Sequence, residues 1–198
     1  MKMKSIAKST LLRASLAGAL LTLLAGCFGA VVAGAGAGTM SAKDSRSFGT
    51  QLDDEAIENR AINAIRERTD IADQSHVEVV SYNRIVLLVG QTPTVSYKQT
   101  LAELVANVPN VRKVYNEMQV AGPRSALTAM SDSTITTKIK TSLLTESDFP
   151  SGKIKVVTEN GEVFLMGLVS REQAVRATDI ARGTGGVQKV VQLFEYGD

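Results

Sequence analysis

The 198 residues contain a single cysteine, Cys27, a single histidine, His76, and no tryptophan. One thiol cannot form an internal disulfide, so no covalent staple holds the fold. With one imidazole and one thiol, neither a Ser-His-Asp nor a Cys-His arrangement finds a partner at evident spacing, and zinc ligation fails for want of the same residues. His76 aligns with Lys153 in the duplication described below, as a solvent-facing residue at the edge of a strand. Acidic clusters such as Asp53-Asp54-Glu55 fall at helix starts, where the helix macrodipole accounts for them. Gly34, Gly36 and Gly38 alternate with alanine, but no strand precedes them and no GxGxxG or GxxxxGK can be completed, which removes nucleotide binding. No Lys/Arg stripe with interleaved aromatics is present, which argues against nucleic acid. After Cys27 no apolar run reaches the ~20 residues that a membrane-spanning helix requires. These absences point to a non-enzymatic chain without a metal or dissociable cofactor.

The N-terminus is better supplied. Lys2, Lys4, Lys8 and Arg13 are undiluted by acidic residues, and 14–25 is apolar apart from Ser15 and Thr22. Together they form the n-region and h-region of a secretory signal peptide over residues 1–26, too short to remain as a spanning helix. The following Leu24-Ala25-Gly26-Cys27 resembles the lipobox of bacterial lipoproteins. The resemblance implies cleavage before Cys27, with a covalent diacylglycerol and an N-acyl chain (palmitate among the usual acyl groups) on that residue. Each buried methylene contributes roughly 0.8 kcal/mol, so three chains make a lasting anchor. Phe28 stands where lipoproteins kept in the inner membrane often carry Asp, which implies the periplasmic face of the outer membrane. Loss of residues 1–26 leaves 18 basic against 20 acidic residues, a net charge of −2.

Residues 27–52 then read as the lipidated cysteine and a Gly/Ala/Ser/Thr-rich tether. Beyond it lies an internal duplication. Val77 to Gly90 and Ile154 to Gly167 superpose their apolar positions and final glycine at an offset of 77. Ile57, Arg60 and Ile65 match Ile135, Lys138 and Leu143 at 78; Val111, Lys113 and Val114 match Val187, Lys189 and Val190 at 76. Each copy begins with an amphipathic helix, capped by Asp53 or Asp54 in the first and by Asp132 or Ser133 in the second. Its apolar face carries Ile57, Ala61, Ala64 and Ile65, or Ile135, Ile139, Ser142 and Leu143. Two β-rich runs follow around Tyr82-Asn83-Arg84 or Asn160-Gly161, the latter a strong hairpin signal. A second helix (95–108; 172–182) and a last strand (111–120; 187–194) complete αββαβ. The fold class is thus α+β, two tandem copies at 53–120 and 132–198 joined by a linker at 121–131. Each three-stranded sheet is covered on one face by two helices that bury Val77, Val79, Val86 and Leu88 against Leu101, Leu104 and Val105. At around 65 residues a copy is near the lower limit for an independent core, so the copies are expected to touch. Gly90 and Gly167, ending the second strand, read as structural: positions where the chain bends or a neighbour comes too close for a side chain.

The copies differ in charge, −3 over 53–120 and −1 over 132–198. The second is therefore the better candidate for an anionic surface. Its first helix sets Lys138 and Lys140 beside Ile135, Ile139, Leu143 and Leu144, a pattern that serves either a core-facing stripe or a weakly basic surface at a bilayer.

The duplicated αββαβ unit, its strands ending in Gly90 and Gly167, and the late Val-x-Lys-Val at 111–114 and 187–190 resemble the BON domain family. RSFGTQ at 46–51, VLLVGQ at 86–91, VYNE at 114–117, ITTK at 135–138 and TENGEVFLMGLV at 158–169 are similar to its two-domain outer-membrane lipoproteins. The resemblance implies a non-enzymatic envelope protein that maintains outer-membrane integrity, is associated with the division site, and binds anionic phospholipid such as phosphatidylglycerol through its second domain. By position that surface comprises Thr134, Ile135, Lys138, Leu144 and Leu168. Thr134 stands where such lipoproteins carry a tryptophan, so the implied surface lacks its aromatic anchor. A protein-interaction module supporting outer-membrane protein assembly or another envelope complex is the alternative.

Overall fold

The computed structural model describes residues 47–197; Cys27, the expected signal segment and most of the expected tether lie outside the described residues. The first copy runs α1 (Phe48–Arg66), a short α2 (Thr69–Ala72), β1 (His76–Tyr82), β2 (Ile85–Thr92), α3 (Val95–Ala106), β3 (Lys113–Asn116) and β4 (Gln119–Val120). The second runs α4 (Ala126–Thr145), one 3-10 turn (Ser151–Lys153), β5 (Ile154–Glu159), β6 (Glu162–Val169), α5 (Arg171–Arg182) and β7 (Lys189–Tyr196). In each, an antiparallel hairpin is joined by a third strand that lies parallel to the hairpin's second strand after a helical crossover. The sheet orders are β1-β2-β3 and β5-β6-β7, so among the described residues β1 and β5 are edges.

The hairpin turns are two residues long, with Asn83 and Arg84 at φ 52° and 63° and Asn160 and Gly161 at 51° and 74°. Two consecutive positive φ values are the type I′ geometry whose twist suits a hairpin. In the first copy that conformation falls on an arginine, which glycine would adopt more readily. Asp54 explains why it holds: its carboxylate accepts from the Asn83 and Arg84 backbone N–H groups at 2.8 and 2.7 Å and from the Ser81 hydroxyl at 2.7 Å. Asp132 accepts from the backbone N–H groups of Asn160 and Gly161, both at 2.9 Å.

Contrary to the expectation from sequence, neither aspartate caps its helix. α1 begins at Phe48 with Ser47 as N-cap and α4 at Ala126 with Ser125, each serine accepting from the threonine N–H three residues on. The helices therefore take 48–52 from the expected tether and 126–131 from the expected linker. The last strand of the first copy also departs from expectation: it is interrupted at Glu117-Met118, where Met118 turns into the core at 1% exposure, before β4 resumes the same register on β2.

Ile57, Ala61 and Ile65 of α1 meet Leu101 and Val105 of α3 over Val79, Val86 and Leu88, while Val77 is only half-buried there and Leu104 lies outside that core. The second copy repeats this with Ile135, Ile139, Leu143, Ala174, Ala177 and Ala181 over Val156, Val163 and Leu165. The opposite faces of the sheets pack on each other: Val80, Tyr82, Ile85, Leu87 and Val89 interdigitate with Val157, Phe164, Met166 and Leu193. Polar contacts frame this seam. Tyr82 Oη donates to the Lys153 carbonyl at 3.0 Å, Asn160 Nδ2 to Gln119 at 3.0 Å, and Arg112 pairs with Glu195 at 3.1 Å. From the connection, Arg124 pairs with the buried Glu159, which also accepts from Gln91.

A Cβ on Gly90, which has φ 122°, would collide with the His76 carbonyl oxygen, and one on Gly167 would lie 2.5 Å from that of Lys153. Both obstacles are backbone. Gly90→Ala should lower stability by about 3 kcal/mol and Gly167→Ala by somewhat less, read from urea unfolding midpoints. Asp132→Asn, which replaces one accepting oxygen by a donor facing N–H, should cost about 1–3 kcal/mol in the same measurement, with Asp54→Asn at least as damaging.

Candidate functional site

Helix α4 is the most exposed apolar element among the described residues. Its inward side is settled by Asp132, Ile135, Ile139 and Leu143, all buried. At 3.6 residues per turn the outward side carries two adjacent rows at spacing seven, Leu127-Thr134-Thr141 and Met130-Thr137-Leu144. Leu127, Met130 and Leu144 are 78%, 69% and 66% exposed. The intervening threonines are less polar than their formula suggests, because Thr134 and Thr137 donate their hydroxyls to the carbonyls of Met130 and Ser133 at 2.9 Å. Bonded back in this way, their hydroxyl protons are already satisfied within the helix. Lys138 borders the first row and Lys140 the second; both are exposed, and neither has an ion-pair partner among the described residues.

Of the residues assigned to this surface from the sequence, the structure brings together Thr134, Lys138 and Leu144. Ile135 does not belong with them. At 3% exposure it sits in the core, one-quarter turn from Thr134, where its Cδ1 abuts the space over Gly186. Leu168 is also elsewhere: it shares the β6 face of Phe164 and Met166 and packs at the margin of the seam between the sheets. Leu127 and Met130 are missing from the expected surface because they fall within the expected linker. The signal for them is present in Ser125 and Thr128 at capping spacing, followed by apolar residues three apart.

Between α4 and the edge strand β5 lies a cleft of about 420 Å³ with hydroxyl-bearing walls from Ser133, Thr136, Thr137 and Thr158, crossed by Arg124 and bordered by Lys140 and Glu78. Glu78 presents surface to solvent, yet the packed walls around its carboxyl hold its pKa above the ordinary glutamate value, with the Glu159 carboxylate adding like-charge repulsion. Among the described residues no cluster of three His, Cys, Asp or Glu side chains is placed to hold a metal ion, and no helix is long and apolar enough to cross a membrane. His76 is exposed at the start of β1, and it is its backbone carbonyl that meets Gly90.

The BON domain model matches the chain twice, over 53–122 and 131–198. The outer membrane lipoprotein DolP of Haemophilus influenzae is 40% identical over 175 residues, spanning 88% of this chain and 91% of that protein. The 21 kDa hemolysin of Actinobacillus pleuropneumoniae is 40% identical over 153 residues, 77% of this chain and 79% of its own length. Osmotically-inducible protein Y of Escherichia coli is 28% identical over 72% of each chain. Two matches to the family model, with the αββαβ order found in each copy and this extended likeness, make the chain a member of the BON domain family, an outer-membrane lipoprotein with two such domains.

Proposed function

We propose that the protein binds anionic phospholipid, phosphatidylglycerol in particular, through the outward face of α4, and so maintains the integrity of the outer membrane in which acyl chains on Cys27 anchor it. The observation that carries this reading is the pairing of three highly exposed apolar side chains with two unpaired lysines on one helix face: Leu127, Met130 and Leu144 with Lys138 and Lys140. A soluble helix would not ordinarily leave such a stripe in water, whereas an interfacial helix uses one to enter the acyl boundary while its cations meet headgroups. Each lysine near an anionic surface supplies about 1 kcal/mol, so the two lysines give selectivity for charge and the apolar rows give depth.

The acyl anchor alone supplies residence in the membrane, so the lipid affinity of α4 serves to choose position within it. Association with the division site follows as the cellular form of that choice. The role asked of the second domain is recognition rather than catalysis.

In flotation with phosphatidylglycerol vesicles, protein lacking the acyl chains should bind, and Lys138→Glu with Leu144→Glu should abolish binding without altering the unfolding midpoint. Binding to zwitterionic vesicles as strong as to anionic ones would overturn the reading. Restoring an aromatic anchor with Thr134→Trp should strengthen binding several-fold. In cells, a fluorescent fusion carrying Lys138→Glu together with Leu144→Glu should lose any enrichment at the division site while remaining in the outer membrane.

A further inference from the structure

The first domain has a groove of its own between α1 and the start of β1. Beside β1, the side chains of Ile62, Ile65, Ala72, Val77 and Val79 line an open, largely apolar groove of about 250 Å³, with Arg66 and Ser75 at one end. At the offset of 78 the second domain has Lys140 for Ile62 and Leu144 for Arg66, and its cleft between α4 and β5, which shares only the Lys140 and Val156 positions with this groove, is polar. Duplication has thus left the two helices with different flanks beside their edge strands, although both expose apolar side chains, Phe48 and Leu52 on α1 and Leu127, Met130 and Leu144 on α4.

That edge is chemically incomplete. Among the described residues β1 has β2 on one side and no strand on the other. Ser81 shows which residues face the open side: its N–H donates to Glu58 Oε1 at 2.7 Å and its carbonyl accepts from Lys155 Nζ at 3.3 Å. Glu58 and Lys155 pair with each other at 2.9 Å, closing that end of the edge. Main-chain groups alternate in direction along an antiparallel strand, so those of Val79 and Val77 also point outward. Neither residue has an outward hydrogen-bond partner among the described residues. An acyl chain could fill the groove but could not satisfy these donors and acceptors; an extended polypeptide does both.

Charge selects the orientation of that polypeptide. α1 crosses β1 in the opposite direction, with Glu58 near the end of the strand and Arg66 near its start. A strand adding antiparallel to β1 ends at Arg66, which is exposed and has no ion-pair partner among the described residues. We infer that the first domain captures the free C-terminal segment of another protein as an added strand on β1, with alternate apolar side chains in the groove beneath Ile62 and the terminal carboxylate on Arg66.

The test uses the acylated protein in detergent micelles and an array of octapeptides that alternate valine, leucine or phenylalanine with threonine and end in a free carboxylate. Peptides from this set should bind, shift the amide resonances of Val77 and Val79, and weaken about tenfold when the terminus is amidated. Arg66→Glu, a change at an exposed position, should reproduce that weakening, and Ile62→Asp should abolish peptide binding while the same variant made without acyl chains still floats with phosphatidylglycerol vesicles. Absence of binding throughout the array, binding indifferent to both substitutions, or movement of the Val77 and Val79 resonances by phosphatidylglycerol vesicles rather than by peptide would each overturn the inference.

Discussion

Every residue of β2 is buried, and so are all but two of β6. A strand whose two faces are both apolar cannot be served by one layer of helices, and this requirement governs the rest of the molecule. Each αββαβ unit solves half of it internally, with α1 and α3 or α4 and α5 over one face. The other half is solved only by a second sheet. Leu87 and Val89 on one side, and Phe164 and Met166 on the other, are at or below 2% exposure because they cover each other. Fully burying such side chains is worth roughly 1.5–3 kcal/mol each, an amount that a unit of about 65 residues with an open sheet face could not forgo. The short connection between β4 and α4 raises the effective concentration of one sheet for the other and directs Arg124 to the buried Glu159.

This packing explains why α1 and α4 are free to diverge on their outer surfaces. Their inner faces remain interchangeable: Asp54 and Asp132 hold the hairpin turns, and Ile57 and Ile135 fill the same place in their cores. Beyond those contacts the two helices have parted. α4 shows water an apolar stripe edged by lysine. The flank of α1 carries Ile62 and Arg66 over an unpaired strand edge. Both are the surfaces to which recognition is assigned in the proposals above, and neither disturbs the core that makes the domains alike.

Much of this is legible in the sequence, because its signals are local and periodic. The offset near 77, the 3.6-residue spacing from Ile57 to Ile65 and the Asn160-Gly161 pair each report a short-range regularity. Expectation and structure part where a residue answers to something distant. An aspartate near a helix start reads as a cap, and only the fold brings Asp54 to Asn83, 29 residues away. Ile135 and Leu144 are equally apolar, and a stripe taken from resemblance to other chains does not separate the side that meets β5 from the side that meets water. Leu168 alternates correctly along β6, but which face of that strand carries the second sheet is a property of both domains together. Residues 126–131 read as linker because Gly122, Pro123 and Ser125 precede them, although Ser125 is where the helix starts.

The seam between the sheets has a mechanical consequence. Two bodies joined by a flexible linker can each turn to suit their own ligand. Here Tyr82, Leu87, Phe164 and Met166 join the domains along their whole inner surfaces, so α4 and the open edge of β1 keep a constant angle to each other. With α4 laid along a bilayer, as proposed above, the protein would have no separate freedom to aim β1. In that orientation the elevation of the edge above the lipid and its compass bearing would already be chosen, and the proposed chain end would have to arrive at that height.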